Sequence, residues 1–547
     1  MSEAAYTTQV LDHLGIVAGI CNQIDLIGQI DALVPNTGRK VSVGQAVQAM
    51  VLNGLGFVSR PLYLSPEFFR NKPVDLLVAD GLEADDLNED SLGRALDHLY
   101  AVGITELFAA ICAYALHVFG IKVRFSHVDT TAFSLEGQYE VEAVDEADED
   151  DSQPIRITYG YSKDRRPDLK QAIMGLICVN ETSIPAYLTA LSGNVSDKTS
   201  MPEMAKLYLD QFGEDEETPI LVADSALYGA DNLRQLSELM WVTRVPATVS
   251  EAKNLLAETT QKVMESSERE GYFYHEVKSN YAGIEQRWLV VLYEPRREQE
   301  LAQLQKRVRR EADKLAKSLK KLQREAFNCE EDAQKALDDF AKQWSLHLVK
   351  GDVSDVTRYT QRGRPKEDSP TVTEWKIEAA FEPDEEMITQ QQQFLGKYLI
   401  ATNELDHEKL PAEELLTVYK DQNRSVERGF RFLKDPFFFA SRLFLKKPSR
   451  IMALLMVMGL SLLIYALAEQ TLRSKLEESE EAIPDQKGKP TQRPTMRRVF
   501  QMFEGIHILL IETGDMRKRM VLNIQEVHLK IAGLLGEPIL DFYTCAE

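Results

Sequence analysis

A chain of 547 residues is too long for one ordinary hydrophobic core, so roughly two to four domains are expected. Hydrophobic content of 44% and charged content of 27% describe a soluble globular protein, and a formal net charge of −23 argues against tight nucleic-acid binding by the whole surface. Any face for a polyanion must therefore be local.

The five cysteines (Cys21, Cys112, Cys178, Cys329, Cys545) show neither metal-ligand spacing nor a disulfide pattern, which fits a reducing cytoplasm. The nine histidines have no paired spacing, which speaks against zinc. No cationic, apolar leader opens the chain, so secretion is not expected.

Residues 8 to about 120 carry apolar side chains at helical spacing, with turns at Pro35–Gly38 and around Pro61. Val41–Leu52 and Ser91–Leu99 read as helices of a small bundle, and Asn88–Ser91 offers helix caps. The bundle would bind DNA or dimerise.

At Lys122 the texture changes. Val123–Ser134 alternates and is β-rich, giving a buried strand that ends near Asp129. The run Glu140–Asp151 is heavily acidic and reads as a solvated loop. Strands follow at Leu169–Asn180 and Ile184–Leu191, then a helix at Met201–Phe212 and a short apolar strand, Pro219–Asp224, that ends in a carboxylate. A helix at Asp231–Leu239 and a strand at Trp241–Val245 complete a mixed α/β sheet. In it two strands end in aspartate, where open sheets place their sites. Trp241 is either a base-stacking wedge or a packing residue of the sheet.

From about 250 to 395 this pattern is interrupted. Gly271–Glu276 and Arg287–Glu294 form a hairpin around Ala282-Gly283. Leu301, Val308, Leu315 and Leu322 then recur at sevens, predicting a helical hairpin or short coiled coil. Its cations, from Arg296 to Arg324, make it either a phosphate-binding arm or a solvated helix face. Arg362-Gly-Arg364-Pro365 resembles the core of minor-groove AT-hook motifs, in which extended arginines enter a narrow groove.

Strands at Thr371–Phe381 and Tyr398–Thr402 return to the sheet. Ile451–Ala468 is almost wholly apolar and barely long enough for a bilayer; it reads as a buried core helix, with a membrane span as the rival. Glu477–Pro494 is a polar linker to a final helical region. The expected domains are 1–120, helical; 121–250 and 396–475, the two parts of a catalytic domain; 251–395, an insertion; and 476–547, linker and helical tail.

Between the last two strands and the apolar helix, Glu427, Arg428, Arg431 and Lys434 recur at helical spacing, with Val426, Phe430 and Leu433 facing the other way. The pattern suits either i, i+4 ion pairs on a surface helix or a metal ion acting on a polyanion. Asp129, Asp224 and Glu427 brought together would hold two divalent cations. Carboxylate oxygens suit Mg²⁺ or Mn²⁺, and two such ions about 4 Å apart activate a water or 3′-hydroxyl and stabilise the leaving oxygen. Taken singly, each aspartate is equally a strand-end cap.

In these motifs the sequence resembles the DDE transposases of bacterial insertion sequences, in the group with a β-rich insertion before the glutamate. The resemblance rests on His127-Val-Asp-Thr-Thr131, on Val222-Ala-Asp-Ser-Ala-Leu-Tyr-Gly229, and on a tyrosine–arginine–glutamate–lysine signature at Tyr419, Arg424, Glu427 and Lys434. Tyr159–Gln171 and Val242–Pro246 also look like segments of this group. Glu427 to Lys434 keeps the group's spacing. Tyr419 stands eight residues before Glu427 instead of seven, and Arg424 three instead of four, shifts that each turn a helical side chain by about 100°.

The resemblance implies an RNase H-like sheet interrupted by a β-rich and coiled-coil insertion and preceded by an all-α domain. It implies that Asp129, Asp224 and Glu427 bind two Mg²⁺ or Mn²⁺ ions and cut transposon ends, by way of a hairpin intermediate. Tyr419, Arg424, Arg428, Arg431, Lys434, Arg362 and Arg364 are the expected DNA contacts. The expected partners are the element's terminal inverted repeats, target DNA and a second copy of the chain, in a bacterial cytoplasm at the nucleoid and not in a membrane. The rival readings are an RNase H-like nuclease without strand transfer, a DNA-binding protein that has lost catalysis, and a membrane protein built on Ile451–Ala468.

Overall fold

The structure is a computed structural model that describes residues 5–35, 38–57, 62–136, 139, 153–161, 166–212, 217–360, 370–422, 424–435, 438, 445–513 and 516–544. Arg362, Arg364 and the acidic run 140–151 lie outside the described residues. The chain divides into two compact units. Met1–Thr243, Tyr281–Ile284 and Thr417–Glu547 form the first, and Arg244–Asn280 with Glu285–Leu416 the second.

The first unit opens with β1 (Ala5–Val10) and seven helices: α1 (Leu14–Gln23), α2 (Leu26–Leu33), α3 (Val43–Leu55), α4 (Ser65–Phe69), α5 (Val74–Leu77), α6 (Glu89–Val102) and α7 (Ile104–Val118). Ser42 starts α3 with a capping box: its Oγ accepts from the Gln45 amide, and the Gln45 side chain accepts from its own. Asn88 starts α6 by accepting from the Ser91 amide at 3.0 Å. Gly103, with φ of +101°, separates α6 from α7 in a conformation that a side chain would strain.

The sheet follows. β2 (Phe125–Leu135), β3 (Lys170–Val179) and β4 (Pro185–Ser192) form an antiparallel meander. After α8 (Asp197–Leu209), β5 (Ile220–Ala223) pairs parallel with β2; after α9 (Ala230–Gln235), β6 (Trp241–Val245) pairs parallel with β5. The strand order is β4-β3-β2-β5-β6. The fold is thus mixed α/β, with a helical N-terminal region. Asp129 does not end its strand, as the sequence suggested. β3 pairs with β2 as far as Lys170 opposite Leu135, and no glycine or proline interrupts Thr130–Ser134. Trp241 is fully buried in the sheet.

The second unit contains α10 (Ser250–Glu258), β7 (Glu265–Ser266) and most of the long hairpin β8 (Tyr272–Tyr281) and β9 (Ile284–Tyr293), whose turn Tyr281–Ile284 is counted in the first. Ala282 and Gly283 both take positive φ, 59° and 83°, as a tight hairpin turn of matching twist requires. Next come α11 (Glu294–Leu322), α12 (Glu330–Ala341), the hairpin β10 (His347–Tyr359) and β11 (Thr371–Pro383), α13 (Glu385–Gln392) and β12 (Lys397–Thr402). Strands β12-β9-β8-β7 form one sheet. The predicted helical hairpin is α11 and α12. Leu315, Leu319 and Phe340 pack with Val349 and Phe381, so the two helices lie on the β10–β11 ribbon.

The chain continues through α14 (Ala412–Asp421), α15 (Val426–Leu433) and α16 (Pro448–Glu478). The short pair β13 (Ile483–Pro484) and β14 (Pro490–Thr491) follows, then α17 (Met496–Met502), β15 (His507–Thr513), β16 (Met516–Leu522), α18 (Glu526–Leu535) and α19 (Glu537–Thr544). Helix α16 is long and apolar enough to cross a bilayer, but 89% of its most apolar window is buried inside the protein. It is the expected core helix.

The closing segment is not wholly helical. β15 pairs with β16 and, antiparallel, with β1, placing Ala5 opposite Glu512 and Val10 opposite His507. The Tyr543 hydroxyl donates to the Asp12 carbonyl at 2.8 Å and accepts from the Ile16 amide at 3.2 Å. The two ends of the described chain thus share one core.

Candidate active site

Asp129 and Asp224 occupy matching positions on neighbouring parallel strands. The last register pair is Val128 with Ala223; Asp129 is the next residue of β2, and Asp224 is the first residue after β5. Matching positions point to one face, and adjacent strands lie about 4.8 Å apart. The two aspartates therefore follow the same register pair on neighbouring backbones.

Local bonds hold each. The Thr130 amide donates to Asp129 Oδ1 at 2.7 Å, and the Ala226 amide to Asp224 Oδ1 at 2.8 Å. Thr243 Oγ1, fully buried on β6, donates to the Asp224 carbonyl at 2.6 Å and fixes the end of β5.

Alternation assigns the two faces of the sheet. Ser126 and Thr130 point to the face covered by α8: Ser126 Oγ lies 3.0 Å from the Tyr208 hydroxyl, and Thr130 Oγ1 donates to Asp197. His127, Asp129, Thr131 and Phe133 point to the other face. His127 is buried there, and burial lowers its pKa to about 3.

Helix α15 lies on that second face. A methyl added at Gly429 would sit 3.5 Å from Leu176 Cδ2 and 3.8 Å from Cys178 Sγ, the register partners of Asp129 and His127. Four residues beyond Asp129, the Phe133 ring lies 5.8 Å from Lys434 Nζ. The helix thus runs along β2, from the level of His127 and Asp129 at Gly429 to Phe133 at Lys434.

Its rotation decides where Glu427 goes. Arg428 donates to Glu469 of α16, and the Phe432 ring lies 4.5 Å from that of Tyr465 on the same helix. Glu427, about 100° back from Arg428, shares the opposite flank with Lys434 and Arg431. It is exposed in the first turn, where the helix dipole favours a carboxylate. Asp129 and Glu427 thus belong to one sheet face and its covering helix, and Asp224 directly follows the neighbouring strand. Among the described residues, no three acidic, histidine or cysteine side chains close into a metal-holding group.

The expected DNA contacts separate. Arg431 is exposed, and Lys434 is half-buried over Phe133. Arg424 is exposed, with Nη1 3.7 Å from Asp421 Oδ1, and Tyr419 is half-buried near the end of α14. Arg428 departs from the shared cationic side. Its guanidinium turns to Glu469, which also forms an ion pair with Arg473 Nη1 at 3.0 Å and accepts from the Met496 amide at 3.2 Å. Sequence reasoning passed over Glu469. Its signal is the first charge after the apolar run Ile451–Ala468.

Residues 128–464, more than half of the chain, match the family model described as the transposase DDE domain. The chain belongs to the DDE transposases. The DDE match encloses Asp129, Asp224 and Glu427, and residues 6–113 match a separate domain of unknown function (DUF4277). No curated protein matches this transposase. Among solved structures it is similar to the piggyBac transposase in a synaptic complex with hairpin DNA. The likeness has 10% identity and a TM-score of 0.36, over 91% of this chain and 82% of that one, too loose to assign a fold.

Proposed function

We propose that this transposase binds the ends of an insertion sequence, cuts the DNA by metal-assisted hydrolysis and joins the 3′ ends to target DNA. The observation that carries the reading is that Asp129 and Asp224 each directly follow the register pair Val128–Ala223 of adjacent parallel strands, with the Glu427 helix lying on β2 and β3. The order β4-β3-β2-β5-β6, an antiparallel meander followed by two parallel strands, supports reading the sheet as RNase H-like.

The donor set is carboxylate oxygen throughout, which fits a hard divalent cation such as Mg²⁺ or Mn²⁺. Asp129 and Asp224 would hold the ions, and Glu427 would complete the set. Such ions, when bound, supply an activated water or 3′-hydroxyl and charge stabilisation at the leaving oxygen. The chain's own contribution is positional. Backbone amides orient the two aspartates, α15 carries the glutamate along the sheet, and Lys434 and Arg431 on the same flank offer cations to a phosphodiester. Two ends must be handled together, so a homodimer on DNA is expected, with Tyr419 and Arg424 as further contacts.

The test is cleavage of a labelled DNA carrying the element's own inverted repeats, with and without Mg²⁺. Asp129→Ala, Asp224→Ala and Glu427→Ala should each abolish cutting and leave end binding in place. Full activity of any one of them removes the site. Cut ends that never join to a supercoiled target would identify a nuclease instead.

A further inference from the structure

We infer that the outward face of α11 binds the sugar-phosphate backbone of double-stranded DNA without reading its sequence. Leu304, Leu315 and Leu319 bury one side of this 29-residue helix. On the opposite side Lys306, Arg310, Lys314, Lys317 and Lys321 follow one another at spacings of three and four, all exposed. At 1.5 Å per residue the stripe is about 22 Å long. Asp313 stands on the same arc, yet among the described residues none of the five cations is in an ion pair with it or with any other carboxylate.

Some surface cations elsewhere are matched, as in Lys40–Asp86, Arg234–Asp231, Lys350–Glu382 and Arg358–Glu374. Like charges at i, i+4 destabilise a helix, so folding does not explain the stripe. It also stands in a chain with 86 acidic and 63 basic residues, where carboxylates for pairing abound. A straight row of unpaired cations complements a polyanion with regularly spaced charges. About 22 Å of duplex axis carries roughly six phosphates on each strand. Four of the five are lysines, point charges suited to phosphate contact and poorly suited to the bidentate recognition of guanine. The inference rests on the reading of the chain as an enzyme of DNA.

The test uses the full chain and two short labelled duplexes, one of arbitrary sequence and one carrying the element's ends, titrated over a range of salt. Lys314, Lys317 and Lys321 are changed together to glutamine, and separately together to arginine. The glutamine variant should bind both duplexes about tenfold or more weakly. The slope of log affinity against log salt should be shallower by about two to three, and the ratio between duplexes unchanged. The arginine variant should keep the wild-type slope.

If wild type binds DNA and the glutamine variant has the same slope, the inference is overturned and the transposase reading survives. If wild type binds neither duplex, both are overturned. If the glutamine variant loses binding to polyglutamate but none to DNA, the face belongs to an acidic protein partner and the inference is again overturned.

Discussion

Arg428, the residue directly after Glu427, donates to Glu469, a carboxylate only 6% exposed on the apolar helix α16. One carboxylate thereby ties together α15, α16 and, through the Met496 amide, the start of α17.

Removing it strands two guanidiniums. Breaking a buried ion pair by deleting one partner costs about 3–5 kcal/mol. Arg428 and Arg473 keep 31% and 25% exposure, so Glu469→Gln should fall at or below the lower end of that range. The urea midpoint measures the loss. Because Arg428 is one residue from Glu427, the cleavage rate should fall further than DNA affinity.

Thr243→Val keeps the shape of the side chain and deletes its hydroxyl. The Asp224 carbonyl loses its 2.6 Å bond, at a cost of about 1 kcal/mol. Cleavage should weaken while DNA binding holds, because the end of β5 is no longer pinned. Unchanged cleavage would show that this bond does not position the aspartate.

His13 is buried between Leu55, whose carbonyl accepts from Nε2 at 2.9 Å, and the Phe500 ring, 4.2 Å away. Burial lowers its pKa from 6.5 to about 4. The unfolded chain therefore takes up this proton before the native one does. The stabilising contribution is complete above about pH 6.5 and is lost as pH falls to about 4, by up to roughly 3 kcal/mol. Denaturant midpoints across that window should decline less steeply in His13→Gln. His127, lowered to about 3 by burial, keeps part of the decline in place.

Ala282 takes φ of +59° in the β8–β9 turn, where a Cβ is disfavoured. Ala282→Asn creates Asn-Gly, the pair best suited to this turn, and should raise stability by about 1 kcal/mol. A thermal melt detects it, with DNA cleavage unaltered.

Much of this was legible because it is local. The apolar run Ile220–Ala223 announces a buried strand, and its following aspartate marks the strand end. Leucines at sevens from Leu301 announce α11, and Ala282-Gly283 announces the turn. What escaped depends on partners far away. β2 outruns Asp129 because β3 offers a matching edge, a tertiary fact that propensity does not encode. Arg428 shares helical spacing with the other cations, and only the position of α16 shows that it serves an ion pair. Asp129 and Asp224 are 95 positions apart, and their alignment emerges only from the parallel register.

Among the described residues β1 takes its strand partner from β15, some five hundred residues later. A ribosome must therefore synthesise the chain through His507–Thr513 before this edge is covered. Frameshifts or early stops ahead of His507 would yield chains with an open strand and uncovered α1 packing, natural prey for proteases. Quality control of the product is in this way written into its topology.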